Sequence, residues 1–207
     1  MTTVQTDAVS ALLRAGRAYA LCARLCSPKA LEALQDGTVG ELKSIVGDLG
    51  LGEAVTSLQR LIDDPPDADA VRSAYTRIFV RAEVPPYETS QGDGAGSAGG
   101  KMQQMADLAG FYKAFGFEVS GERPDHIAPQ LEFLALTCVK EGYAGLSDDD
   151  KGATVCRDAR RAFLADHVGA WLPGYHERLG TEDRSGLFCS VVGAVVALNG
   201  VPIVAAG

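Results

Sequence analysis

The 207-residue chain reads as an all-α protein. Apolar residues recur at helical spacing over most of its length, and no stretch shows the two-residue alternation of β-branched residues that marks a strand. Proline, glycine or a capping side chain separates one periodic segment from the next. The length fits one domain, or one with two lobes, and is enough to bury roughly 70% of the unfolded surface without disulfide staples.

Residues 7–26 place Ala8, Leu12, Ala15, Tyr19, Cys22 and Cys26 on one stripe, with Arg14, Arg17 and Arg24 off it and Ser27-Pro28 as the stop. Shorter periods predict helices at 29–35, at 39–47 behind Thr38, and at 53–63, which Pro65-Pro66 ends. Asp67 is placed to cap a helix over 68–80 with Val71, Ala74, Tyr75, Ile78 and Phe79 on its apolar face, a stripe that core packing alone would explain. Val84-Pro85-Pro86-Tyr87-Glu88 is a rigid, extended proline pair ending in an aromatic. The glycine-rich segment after it, TSQGDGAGSAGG, predicts a flexible loop or inter-lobe hinge over about 88–101. Helical spacing resumes over 102–115 through Met102, Met105, Leu108, Tyr112 and Phe115, with Gly116 as the stop.

The centre of the chain is Gly121 to Val139, where the charged knot Arg123-Pro124-Asp125-His126 opens directly onto Leu131, Phe133, Leu134, Ala135, Leu136, Cys138 and Val139. A helix apolar nearly all round belongs in the middle of its domain. Asp125 is placed as its N-cap. Pro129 argues instead for a regular helix that begins only there, at the favoured first position, which leaves Asp125 and His126 on an irregular lip. If the segment is helical throughout, Asp125 and Glu132 stand two turns apart on one face with His126 beside them, which suggests a site. Farther on, Ser147 to Asp150 caps a helix over 148–166, and His167 reads as a charge partner for its C-terminal end. A short helix at 174–179 and an apolar helix at 182–198 complete the pattern.

The formal charge of −8 and sequence pI near 4.9 argue against a nucleic-acid groove and favour a basic partner. The five cysteines are odd in number, scattered and set among apolar residues, as in a reducing cytoplasm. Cys22 and Cys26 lack the spacing of a redox pair, so no metal or other cofactor is expected. No apolar run follows a basic start, which predicts a chain that stays inside the cell. The run Leu187 to Leu198 would rise only about 18 Å as a helix, too short for a bilayer, and no stable membrane insertion is expected.

Catalytic patterns are missing. GxSxG and HExxH do not occur, and Asp125, His126 and Glu132 come with no nucleophile or oxyanion donors, so the chain is not expected to be an enzyme. Gly94-x-Gly96-x-x-Gly99 matches a dinucleotide fingerprint, but a Pro-Pro turn precedes it where a strand is required, and Met102 stands where a phosphate loop needs Ser or Thr. A nucleotide-binding enzyme using Gly94–Gly99 remains one alternative; a generic helical interaction protein is another. An apolar helical surface edged by Asp and His suits capture of an apolar peptide with a basic end.

Several blocks in order carry a resemblance: Tyr75-x-x-Ile78-Phe79, Pro85-Pro86-Tyr87-Glu88, Phe111-Tyr112-x-x-Phe115-Gly116, Glu122-x-Pro124-Asp125-His126-Ile127 before Leu131-Glu132-Phe133-Leu134, and His167-x-x-x-Trp171-Leu172-Pro173. Together they resemble the TorD/DmsD/NarJ family of cytoplasmic maturation chaperones for molybdenum-cofactor oxidoreductases, over nearly the whole chain. The resemblance implies a TorD-like helical domain over 1–207 that binds the twin-arginine leader or apoprotein of a molybdoenzyme catalytic subunit and assists cofactor insertion before export. It implies a peptide site lined by Tyr75, Ile78, Phe79, Pro86, Tyr87, Asp125 and His126, in a monomer or a homodimer, and Glu88 and Glu132 are expected to join that site from their neighbouring positions. Gln130 departs from the family pattern, standing where many members carry a second acidic residue.

Overall fold

The computed structural model describes residues 3–91 and 98–201 and is helical throughout, with no strand among the described residues. In chain order the helices are α1 (Thr3–Leu25), α2 (Ala30–Gln35), α3 (Thr38–Asp48), α4 (Gly52–Asp63), α5 (Ala68–Tyr75), α6 (Ala98–Ala114), α7 (Ile127–Leu146), α8 (Asp150–Phe163), α9 (Gly169–Glu182) and α10 (Leu187–Asn199). Helix α7 is the expected core helix. It lies along α1 on one side and α8 on the other, and Leu131, Phe133, Leu134 and Cys138 are fully enclosed. Each of the Leu and Phe side chains contributes about 1.5–3 kcal/mol of hydrophobic stabilisation. The α1–α7 crossing is tight because Gly16 has no side chain: a Cβ there would stand 3.0 Å from the Cys138 Cβ and 3.2 Å from the Ala135 carbonyl oxygen.

Local signals hold at several boundaries. Asp67 caps α5 by accepting the Ala70 N–H at 2.7 Å, Asp149 caps α8 by accepting the Gly152 N–H at 2.9 Å, and Gly116 ends α6 with a φ of 63°. Four expectations are corrected. Asp125 does not cap α7: His126 does, its Nδ1 accepting the Ala128 N–H at 3.1 Å. Pro129 is the third helical residue and costs nothing there, since first-turn N–H groups have no intrahelical acceptor. Helix α6 begins at Ala98 rather than 102, and Glu88–Ser90 form a 3-10 turn in which Glu88 and Thr89 are buried. The remainder of the glycine-rich segment, residues 92–97, lies outside the described residues, and with it most of the Gly94–Gly99 fingerprint. The break expected around 167–173 is absent, since α8 runs through a π turn (Leu164–Val168) into α9, with Pro173 inside the helix. Gly169 follows that turn where a Cβ would come within 2.5 Å of the Leu164 carbonyl oxygen. A second π turn, Thr76–Val80, extends α5.

All five cysteines are free, and four are buried. Among the described residues no helix is long and apolar enough to cross a membrane.

Candidate functional site

Two distant loops are stitched together on the N-terminal side of α7. The Ile127 N–H donates to the Pro86 carbonyl at 3.0 Å and the Glu88 N–H donates to the Asp125 carbonyl at 2.9 Å, so Tyr87 and His126 form an isolated antiparallel bridge. The Tyr112 hydroxyl of α6 donates to the Pro124 carbonyl at 2.8 Å and secures the same loop from outside.

The bridge aligns a row of rings. Tyr75 stacks on Phe79 at 5.0 Å between centroids, Phe79 packs on His126 at 5.7 Å, and His126 meets the Tyr87 ring edge to face at 5.3 Å. Phe188 of α10 closes the row from behind, 5.0 Å from Phe79. Tyr75 and Tyr87 are half-buried, while Ile78, Phe79, Pro86 and His126 form the buried floor. Beside Tyr75 the row ends in an apolar pocket of about 160 Å3 lined by Pro28, Leu31, Val71 and neighbouring side chains. Beyond Tyr87 it ends in charge, the Arg123 guanidinium lying 4.5 Å over the ring.

Asp125 is fully enclosed at 0% exposure. Its Oδ1 accepts from Arg123 Nε at 3.0 Å, and its Oδ2 accepts from Arg123 Nη2 at 2.8 Å and from the Thr89 hydroxyl at 2.6 Å. Both carboxylate oxygens are therefore committed, in the side-on pairing a planar guanidinium favours. Since His126 Nδ1 accepts a backbone N–H, the ring proton sits on Nε2 and the imidazole is neutral. Burial pushes its pKa below the ordinary value, against the opposing pull of the Glu122 and Asp125 carboxylates.

Behind the row lies a buried polar set. Glu88 Oε1 bonds His167 Nδ1 at 2.9 Å, the Gln130 amide donates to Glu88 Oε2, and the Trp171 indole donates to Gln130 Oε1 at 3.0 Å. His167 is thus not a surface charge at a helix end: it is buried at the π turn and tied to a residue 79 positions away. The structure brings Tyr75, Ile78, Phe79, Pro86, Tyr87, Asp125 and His126 together, turns Glu88 inward to the polar set, and leaves Glu132 exposed on α7. Arg123, Thr89, Gln130, His167 and Trp171 were not among the expected site residues. For His167 and Trp171 a signal was present, in the His-x-x-x-Trp-Leu-Pro block.

Residues 47–177 match the family model for the nitrate reductase delta subunit. The chain belongs to that family. It is 32% identical over 129 residues to a selenate reductase assembly chaperone protein of Thauera selenatis, covering 60% of this chain and 65% of the relative. It is 35% identical over 96 residues to a chlorate reductase assembly chaperone protein of Ideonella dechloratans, covering 44% and 49%. Chaperone protein TorD of Vibrio cholerae is 26% identical over 149 residues, covering 69% and 65%. The chain thus spans about half to two thirds of the length of these relatives, and no solved structure matches it significantly. The family match takes in the whole ring row, Arg123, Asp125 and the polar set; Phe188 lies outside it.

Proposed function

We propose that this chain is a cytoplasmic chaperone that binds the twin-arginine leader, or the apoprotein, of a molybdenum-cofactor oxidoreductase and assists cofactor insertion and assembly before export. The observation that carries the reading is the row Tyr75–Phe79–His126–Tyr87, apolar at its pocket end and closed by a guanidinium-binding carboxylate at the other. A leader has the complementary order, arginines followed by an apolar run. The acidic charge of the chain favours such a ligand, and relatives named for selenate and chlorate reductases make a reductase the natural client. The role is non-enzymatic: His126 spends its Nδ1 on a backbone N–H and Asp125 spends both oxygens on Arg123 and Thr89, so neither stands ready as a base.

Calorimetric titration of a synthetic twin-arginine leader tests the reading. Asp125→Ala should weaken binding roughly ten- to hundredfold, the scale of losing a charge-assisted hydrogen bond, and Tyr87→Ala roughly two- to tenfold, the scale of losing an aromatic contact. Unchanged affinity in both variants, shown to be folded by their melts, would remove this surface as the site. A rise in melting temperature on adding nucleotide would favour the nucleotide-binding alternative.

A further inference from the structure

We infer that Tyr87 and Asp125 form a seat for one guanidinium, which the chain's own Arg123 fills and which a ligand arginine takes by displacing it. The seat is visible because it is occupied. Arg123 sets its guanidinium carbon over the Tyr87 ring, 4.5 Å from the centroid, while Nε and Nη2 span the two oxygens of Asp125, and Nη2 also donates to the Thr89 hydroxyl at 3.1 Å. A cation over the ring face that also pairs side-on with a carboxylate is best supplied by a flat, forked group. A lysine ammonium is a compact point charge that can do neither well, so the ligand class is an arginine rather than any basic residue.

The occupant is also built to leave. Of the two side chains that hold Asp125, Thr89 is buried, whereas the Arg123 side chain is 51% exposed. Vacating the seat therefore returns a guanidinium to water instead of stranding it. Arg123 lies only two residues from Asp125, in the short loop behind Gly121, so its exchange disturbs no helix. Self-occupancy costs a ligand affinity, since an attached side chain competes at a high effective concentration. It also protects a buried carboxylate while the protein is without a client.

The seat itself stands on this geometry; the exchange rests on the leader reading above, and the experiment separates them. In the full-length Arg123→Ala protein, methylguanidinium at low millimolar concentration should raise the melting temperature by about 1 °C, while methylammonium at equal ionic strength should not. Wild type, whose seat is filled, and the Arg123→Ala/Asp125→Ala double variant should respond to neither. Equal responses to both cations, or none, would overturn the seat. A twin-arginine leader peptide should then bind Arg123→Ala roughly three- to tenfold more tightly than wild type, with Arg123→Lys between them, and a twin-lysine peptide should show no such gain. Unchanged or weaker leader binding in Arg123→Ala would overturn the exchange. Guanidinium rescue without any leader binding would overturn the leader reading, and the exchange with it, while the seat stands.

Discussion

Asp125 and Glu141 are both buried carboxylates held by arginine, and the way each is held separates a site from a scaffold. Glu141 sits on α7 and is gripped from α8, by Arg157 Nε at 3.0 Å and by Arg160, whose side chain is itself only 4% exposed. Every member of that set is fixed on a helix, and the set joins α7 to α8. Asp125 sits on a loop and is held by a half-exposed arginine two residues away and by Thr89 from another loop. The first arrangement can only break by unfolding; the second can open and close while the helices stay put. Burial of a charge alone would have ranked the two alike, and it is the solvent access of the partner that distinguishes them.

The comparison predicts a graded series. Glu141→Ala leaves a buried cation without that carboxylate and should destabilise the protein by about 3–5 kcal/mol, a drop of roughly 10 °C in thermal melts. A loss below about 1 kcal/mol would mean the α7–α8 pair is not sealed as described. Asp125→Ala should cost less, about 2 kcal/mol by urea denaturation, since Arg123 regains water while only the Thr89 hydroxyl loses a buried acceptor. Arg123→Ala should cost about 1 kcal/mol or less, in contrast to Arg160→Ala, which strands Glu141 and should resemble Glu141→Ala. Comparable losses in the two arginine variants would erase the distinction between openable and sealed.

The smallest effect concerns His126. Its pKa is depressed in the folded protein, so the unfolded chain binds the extra proton first, and stability present above about pH 6.5 is lost as pH falls below it. His126→Asn keeps an acceptor for the Ala128 N–H but removes the titration. Its melting temperature should therefore fall less than that of wild type between neutral and mildly acidic pH. A steeper fall in the variant would show that the imidazole is stabilised, not penalised, when charged.

Much of this was legible in the sequence, for a reason that also marks the boundary. Helix spacing, the Asp67 cap and the Gly116 stop are local, and they appear where periodicity and capping place them. Asp125 could be read from the sequence either as a cap or as a site residue, because the contacts that decide its role come from Thr89 and Glu88, more than thirty residues earlier. Glu132 follows the same logic in reverse: its helical register relative to Asp125 mattered only if both were helical, and the loop ends before Ile127. His167 looked like a helix-end charge because nothing local announces Glu88, and the break expected near Pro173 vanished because the π turn before it carries the helix onward. Residue order supplied the parts of the site, and the Pro86–Ile127 and Asp125–Glu88 backbone bonds supplied their arrangement.

The π turn at 164–168 also bears on how chains of this kind can change length. Such a turn is an α-helix carrying one surplus residue, and removing one residue from it would leave a helix of ordinary pitch. Five residues in the wide turn carry the chain about as far around and along the axis as four do in an α-helix, so everything downstream would keep its phase against α8. Trp171 would stay beside Gln130, and Tyr175 and Leu179 would stay in the core. A one-residue deletion at an exposed position such as Ala165 is thus absorbed where it falls, whereas the same deletion in the regular turns of α9 would rotate every later residue by about 100° against α8. Loss of one residue should therefore be tolerated within these five residues, as in the loops before α2, α4 and α10, and refused in the α-helical turns on either side.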